Sequence, residues 1–121
     1  MKKLIFALVA TVALALGAEA QVKDSLTYTK NGMAVGKIKT SAVCDMCKET
    51  LEKAMAYEKG VKESSLDVDS KIITVTFDPK KTSLSKIREA IVKTGYDADG
   101  IPANQKAYDN LDACCKKDYK H

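Results

Sequence analysis

The sequence predicts an α+β fold in the order strand, helix, strand, strand, helix, strand. Three observations carry that expectation. The apolar residues switch between a period of two and a helical spacing, and do so twice along the chain. A β-branched and aromatic run, Ile72 to Phe77, stands between two turn signals. Gly60 and Gly95 each close a helical stripe.

The first strand is expected within Val35 to Val43, where Ile38, Thr40 and Ala42 alternate with Lys37, Lys39 and Ser41. The period then changes. Cys47, Leu51, Ala54 and Met55 form a helical stripe, with Lys48, Glu49, Glu52 and Lys53 on the opposite face. Val61 to Val68 returns to strand character, Leu66 and Val68 alternating with Asp67 and Asp69, and Asp69-Ser70-Lys71 turns the chain into Ile72 to Phe77. Asp78-Pro79 stops that strand. A second helix starts near Thr82 or Ser83, either of which can cap it, and buries Leu84, Ile87, Ala90, Ile91 and Thr94 up to Gly95. A short last strand is expected from Asp97 to Ile101, ended by Pro102. This order is the ferredoxin-like βαββαβ sandwich, an antiparallel sheet with two helices on one face.

Two segments flank that unit. Leu26 to Thr29 is expected to turn back at Asn31-Gly32 and add an edge strand. Pro102 to Cys115 carries Ala107, Tyr108, Leu111 and Cys115 at helical spacing, which predicts a C-terminal helical tail. The expected divisions are a signal peptide over 1–20, a polar extension over 21–34, the sandwich over 35–103, and a tail with a Cys pair over 104–121.

The chain has 121 residues and opens with Met1-Lys2-Lys3, an uncharged run from Leu4 to Leu16, and Ala18-Glu19-Ala20. Those are the three parts of a secretory signal peptide. Thirteen residues reach only about 20 Å as a helix, short of a ~30 Å hydrocarbon core. Cleavage after Ala20 is expected, leaving a mature chain without a membrane span in a secreted or periplasmic location. The formal net charge of +4 is mild, and the lysines are interleaved with acids. No basic face with interleaved aromatics exists for nucleic acid. No nucleophile elbow or phosphate loop occurs, so an enzyme is not expected.

The chemistry lies in the cysteines, arranged as Cys44-Asp45-Met46-Cys47 and Cys114-Cys115. Adjacent cysteines rarely bridge each other, because the small ring strains the disulfide. Cys44 falls at the junction of the first strand and first helix, where free backbone amides favour thiolate. Thiolates are the ligands of soft metals. Two sulfurs without a nearby His suit Cu(I) or Hg(II), whereas a closed Zn(II) site takes four ligands. The favoured ion is Cu(I), with Hg(II) and Zn(II) as the others. A tail helix of about ten residues covers roughly 15 Å, close to the ~17 Å of a five-residue strand. A tail of that length can return Cys114 and Cys115 to the metal end as auxiliary groups, either extra thiolates or a resolving thiol for Cys44 and Cys47. The alternative is a surface tail whose cysteines pair between molecules or stay idle. The only His, His121, stands at the terminus, where fraying argues against a ligand.

At these residues the chain resembles the heavy-metal-associated domain family, which includes copper chaperones and periplasmic mercuric-ion-binding proteins. The resemblance rests on Cys44 to Cys47, Leu51, Ala54-Met55, Gly60-Val61, Val75 to Asp78 and Gly95-Tyr96, in the family's order. It implies Cys44 and Cys47 as the metal ligands and places Tyr96 beside them as a screen against water. One departure is Ala42, where the family usually has Met packed under the metal loop; a looser loop is the implied consequence. The implied function is an exported metal-binding protein or metallochaperone that transfers, buffers or detoxifies a soft ion. Its partner would be a metal-transporting or metal-accepting protein with exposed thiols, and the carrier a monomer or a metal-bridged dimer.

The rival is a periplasmic thiol–disulfide oxidoreductase, which also uses a helix-initial CxxC. Against it, no Trp precedes Cys44, no Pro lies between the cysteines, and Asp45 adds negative charge beside the thiols. The single strand–helix ahead of the remaining hairpin does not assemble a thioredoxin sheet.

Overall fold

A computed structural model describes residues 25–117. The signal-peptide expectation for 1–20 and the position of His121 lie outside the described residues. Among those described, no helix is long and apolar enough to cross a membrane.

The elements run β1 (Thr27–Tyr28), β2 (Ala34–Lys39), α1 (Asp45–Ala56), β3 (Val61–Asp67), β4 (Ile72–Phe77), α2 (Leu84–Thr94), α3 (Gln105–Asp109) and a 3-10 turn (Ala113–Cys115). The sheet is antiparallel in the order β1-β2-β4-β3. Its inner face presents Ala34, Ile38, Leu66, Ile73, Val75 and Phe77; Cys47, Leu51 and Met55 of α1 and Leu84, Ile87 and Ile91 of α2 close the core. Period two on the strands and i, i+4 on the helices produce that single layer of contact. Gly36 sits where α2 crosses the sheet: a Cβ there would lie 2.7 Å from Leu84 and 3.0 Å from Leu26. A side chain at 36 would hold both of them off.

The two long helices are stopped by local chemistry. Ser83 caps α2 by accepting the Lys86 N–H, and Gly95 takes a left-handed φ of 114° to end it. Cys44, with extended φ and ψ, is the N-cap of α1.

The expected last strand from Asp97 to Ile101 is not a strand. Ala98 makes one isolated bridge to Thr40 and another to Ile101. The cause is local: Asp99 and Gly100 both have positive φ, so Ala98 and Ile101 close on each other as a tight turn. Asp99 still finishes the end of β2, donating its N–H to Lys39 O at 2.8 Å and accepting the Lys39 N–H on its carboxylate at 2.9 Å. The rest of that edge is covered by β1, which folds back through Thr29, Gly32 and Met33 and pairs Thr27 with Val35 and Tyr28 with Ala34. The tail is also broken where one continuous helix was expected. Asn104 caps α3 by accepting the Ala107 N–H, but α3 ends at Asn110, and Asp112 is extended before the 3-10 turn. Asn and Asp compete locally with the backbone, which makes them poor helix interiors.

The opposite edge, β3, is blunted by side chains. Glu52 accepts the Leu66 N–H at 2.7 Å and Lys48 Nζ at 2.6 Å, while Lys48 also donates to Leu66 O at 2.8 Å. An unpaired strand segment is thereby satisfied from α1. Burial pushes the Glu52 carboxyl up, but Lys48 and the Leu66 N–H outweigh it and hold its pKa below the usual value. A depressed carboxyl stabilises the fold above its unfolded pKa of about 4.3 and loses that contribution as pH falls through the folded value. Glu52→Gln is expected to cost about 1 kcal/mol at pH 7, a charged hydrogen bond discounted for solvent screening. Urea denaturation should show the gap from the parent closing towards pH 3; an equal gap at both pH values would contradict the assignment.

Candidate metal centre

The approach to the CxxC segment is pinned before it reaches the first cysteine. Thr40 Oγ1 donates to Lys71 O at 2.9 Å and accepts the Ala42 N–H at 3.2 Å. Ser41 Oγ accepts the Asp97 N–H at 2.8 Å. Ala42, in the position where a looser loop was implied, is wholly buried between these anchors.

From there Cys44 turns the chain into α1, its carbonyl accepting the Lys48 N–H at 3.0 Å. Cys47 follows on the inner face of the helix and is fully buried, whereas Cys44 is half-buried. Their sulfurs lie 2.9 Å apart. No helix N–H reaches the Cys44 sulfur at full hydrogen-bond geometry. Burial raises the Cys44 pKa, yet the Cys47 thiol and its N–H, then Cys114 and Cys115, outweigh burial and leave it below the ordinary thiol value. A thiol lowered in this way is more readily converted to a nucleophilic, metal-seeking thiolate.

The tail does return to this end of the sheet. Cys114 Sγ lies 3.7 Å and Cys115 Sγ 3.9 Å from Cys44 Sγ. The sulfurs of Cys44, Cys47 and Cys115 all fall within 4.8 Å of one another. The two tail cysteines differ sharply. Cys115 is 2% exposed, and burial, then Cys47, push its thiol well above the ordinary range. Cys114 is less buried; the Cys44 thiol, then desolvation, raise its pKa. Its sulfur also lies 3.6 Å from the Met46 thioether. Met46 was not anticipated as part of the site, although a soft sulfur inside CxxC is a readable signal.

Tyr96 is completely buried, and its hydroxyl is the one buried side-chain polar atom among the described residues without a hydrogen-bond partner at full geometry. Burial foremost, then the Cys115 and Cys47 thiols, drive its pKa far upward, so it stays a neutral phenol beside the sulfurs. All five expected residues (Cys44, Cys47, Cys114, Cys115 and Tyr96) thus gather at one end of the sheet. The chemistry such a cluster offers is soft-cation binding.

Comparison with known proteins agrees with that geometry. The family model described as the heavy-metal-associated domain matches residues 40–97. The chain is 35% identical over 54 residues to the copper chaperone CopZ of Staphylococcus haemolyticus, covering 45% of this chain and 79% of that one. The chain belongs to the heavy-metal-associated domain family. It is also 33% identical over 70 residues to the periplasmic component of the mercuric transport protein of Shewanella putrefaciens, covering 54% of this chain and 77% of that one. The solved structure of a CopZ metallochaperone superposes with a TM-score of 0.51 at 25% identity, covering 53% of this chain and 97% of that chain. The ferredoxin-like fold is that of the family. The tail that carries Cys114 and Cys115 lies beyond the residues the heavy-metal-associated model matches.

Proposed function

We propose that this protein is an exported carrier of a soft metal ion, with Cu(I) the favoured cargo, held by Cys44 and Cys47. The observation that carries this is the paired sulfurs at the start of α1, one buried and one accessible. The buried thiol fixes the ion to the fold, and the accessible one leaves a side open for an incoming thiol. A carrier needs that openness, because its ion leaves by ligand exchange with an acceptor. The acceptor would be a metal-transporting or metal-accepting protein with exposed thiols, as the copper-chaperone relative suggests. The periplasmic mercuric relative and the apolar run Leu4 to Leu16 behind a basic start support export. Transfer needs no catalytic residue.

The test is an anaerobic titration of the reduced mature chain with Cu(I) against a chromophoric competitor. The expected result is tight binding at about one ion per chain, since one cluster supplies the ligands. A chain that leaves all Cu(I) with the competitor would refute copper carriage. The same titration with Hg(II) and Zn(II), followed by a reduction potential for the thiols, would then separate another cargo from redox work.

A further inference from the structure

We infer that Cys115 is a third metal ligand, so that the C-terminal segment closes a three-thiolate site with Cys44 and Cys47. The inference rests on the carrier function proposed above and assigns its coordination. Its first support is distance. A metal–thiolate bond of about 2.3 Å places the sulfurs of a trigonal site about 4 Å apart and those of a linear pair about 4.6 Å apart. Cys115 Sγ is already 3.9 Å from Cys44 Sγ. The Cys44 and Cys47 sulfurs, at 2.9 Å, have to part by about 1 Å for the trigonal arrangement and by about 1.7 Å for the linear one. The smaller movement favours three ligands.

The second support is that the tail is held at the site by contacts of its own. Asn104 N–H donates to Val92 O at 3.0 Å, and the missing side chain of Gly95 leaves room for the Ala107 carbonyl and Leu111. Lys117 donates its N–H to Tyr108 Oη at 3.0 Å and pairs through Nζ with Asp97 at 3.1 Å. Leu111 and Cys114 pack on the core, and Cys115 belongs to it.

The third support is Tyr96. A buried hydroxyl without a partner is destabilising, and this one adjoins Cys115 and Cys47. A metal-bound thiolate at Cys115 gives it an acceptor. Coordination releases the Cys115 proton to solvent, and the Tyr96 O–H then donates to the sulfur left behind. Cys114 is not the third ligand. Its sulfur lies 3.7 Å from that of Cys44, but it is not in the group of Cys44, Cys47 and Cys115 whose sulfurs all lie within 4.8 Å of one another, and it contacts the Met46 thioether instead.

Cu(I) bound to the full reduced chain, measured by X-ray absorption, distinguishes the alternatives without any substitution. Three sulfur neighbours are expected in the parent, against two for a site made only by CxxC. Cys115→Ser should reduce the count to two. Loss of even an outer partner costs about 10–100-fold in affinity, so loss of this ligand is expected to weaken Cu(I) binding by about 100-fold. Cys114→Ser should still show three sulfurs. Two sulfurs in the parent, or parental affinity in Cys115→Ser, would overturn the third ligand. Cys44→Ser and Cys47→Ser separate the two proposals. If both lose Cu(I) while Cys115→Ser keeps it, only the third ligand falls; if neither loses it, the CxxC carrier site falls as well.

Discussion

Cys44→Ser and Cys47→Ser are each expected to weaken Cu(I) binding by about 1,000-fold, roughly 4 kcal/mol, with different effects on the metal-free fold. Serine offers a hard, neutral oxygen where a soft ion takes a polarisable thiolate. Cys44 is the hub of the cluster, its sulfur lying 2.9, 3.7 and 3.9 Å from those of Cys47, Cys114 and Cys115. Its side chain is half-buried, so a hydroxyl there can meet water and the fold should melt within about 3 °C of the parent. Cys47 is buried in the same core as Leu51 and Met55. A hydroxyl placed there without a partner costs about 1–3 kcal/mol, which for a domain of this size lowers the melting temperature by about 5–15 °C. Competition titration and thermal melting of the two metal-free variants check both halves. Parental Cu(I) affinity in both variants would sink the site; equal melting temperatures would sink the asymmetry between them.

The parts of this site that the sequence discloses are those set by local chemistry. Ile72 to Phe77 forms β4 over the expected residues because β-branched and aromatic side chains run unbroken up to Asp78-Pro79. Ser83 and Gly95 bound α2 because one side chain satisfies an orphan N–H and the other residue accepts a left-handed φ. Cys44 at the entrance to α1 follows from the change of apolar period at that point. What the sequence conceals is long-range competition for the free edge of β2. Asp97 to Ile101 has strand-like composition, yet Asp99 and Gly100 turn it back, and β1 covers the remaining edge. Whether the tail reaches Cys44 depends likewise on contacts between distant residues, such as Lys117 with Asp97. Helical spacing in Ala107, Tyr108, Leu111 and Cys115 marks the inward face correctly, as the burial of Cys115 shows. It does not reveal that α3 stops at Asp109, because the apolar spacing runs on across Asn110 and Asp112 to Leu111 and Cys115.

Gly95→Val is expected to separate the tail from the domain while leaving the CxxC sequence intact. Two effects act at that residue. Its φ of 114° costs an L-amino acid roughly 1–2 kcal/mol, with β-branching at the upper end. A Cβ would also stand 3.0 Å from Ala107 O, 3.1 Å from Ala107 C and 3.2 Å from Leu111 Cδ2, adding about 1 kcal/mol of overpacking. The backbone contact cannot be relieved by rotating a side chain, so α3 has to move away. Together these predict a loss of about 2–3 kcal/mol and a fall in melting temperature of about 10–20 °C. Because α3 carries the chain towards Cys115, the buried thiol should become reactive under native conditions. Pulsed alkylation of the reduced, metal-free protein, read by peptide mass, should label Cys115 about tenfold faster than in the parent as local opening becomes easier. Gly95→Ala, which shares the strain and the Cβ but lacks the branch, should fall between. Unchanged protection of Cys115 in Gly95→Val would mean that the tail is held by Lys117, Tyr108 and Asp97 rather than through the end of α2.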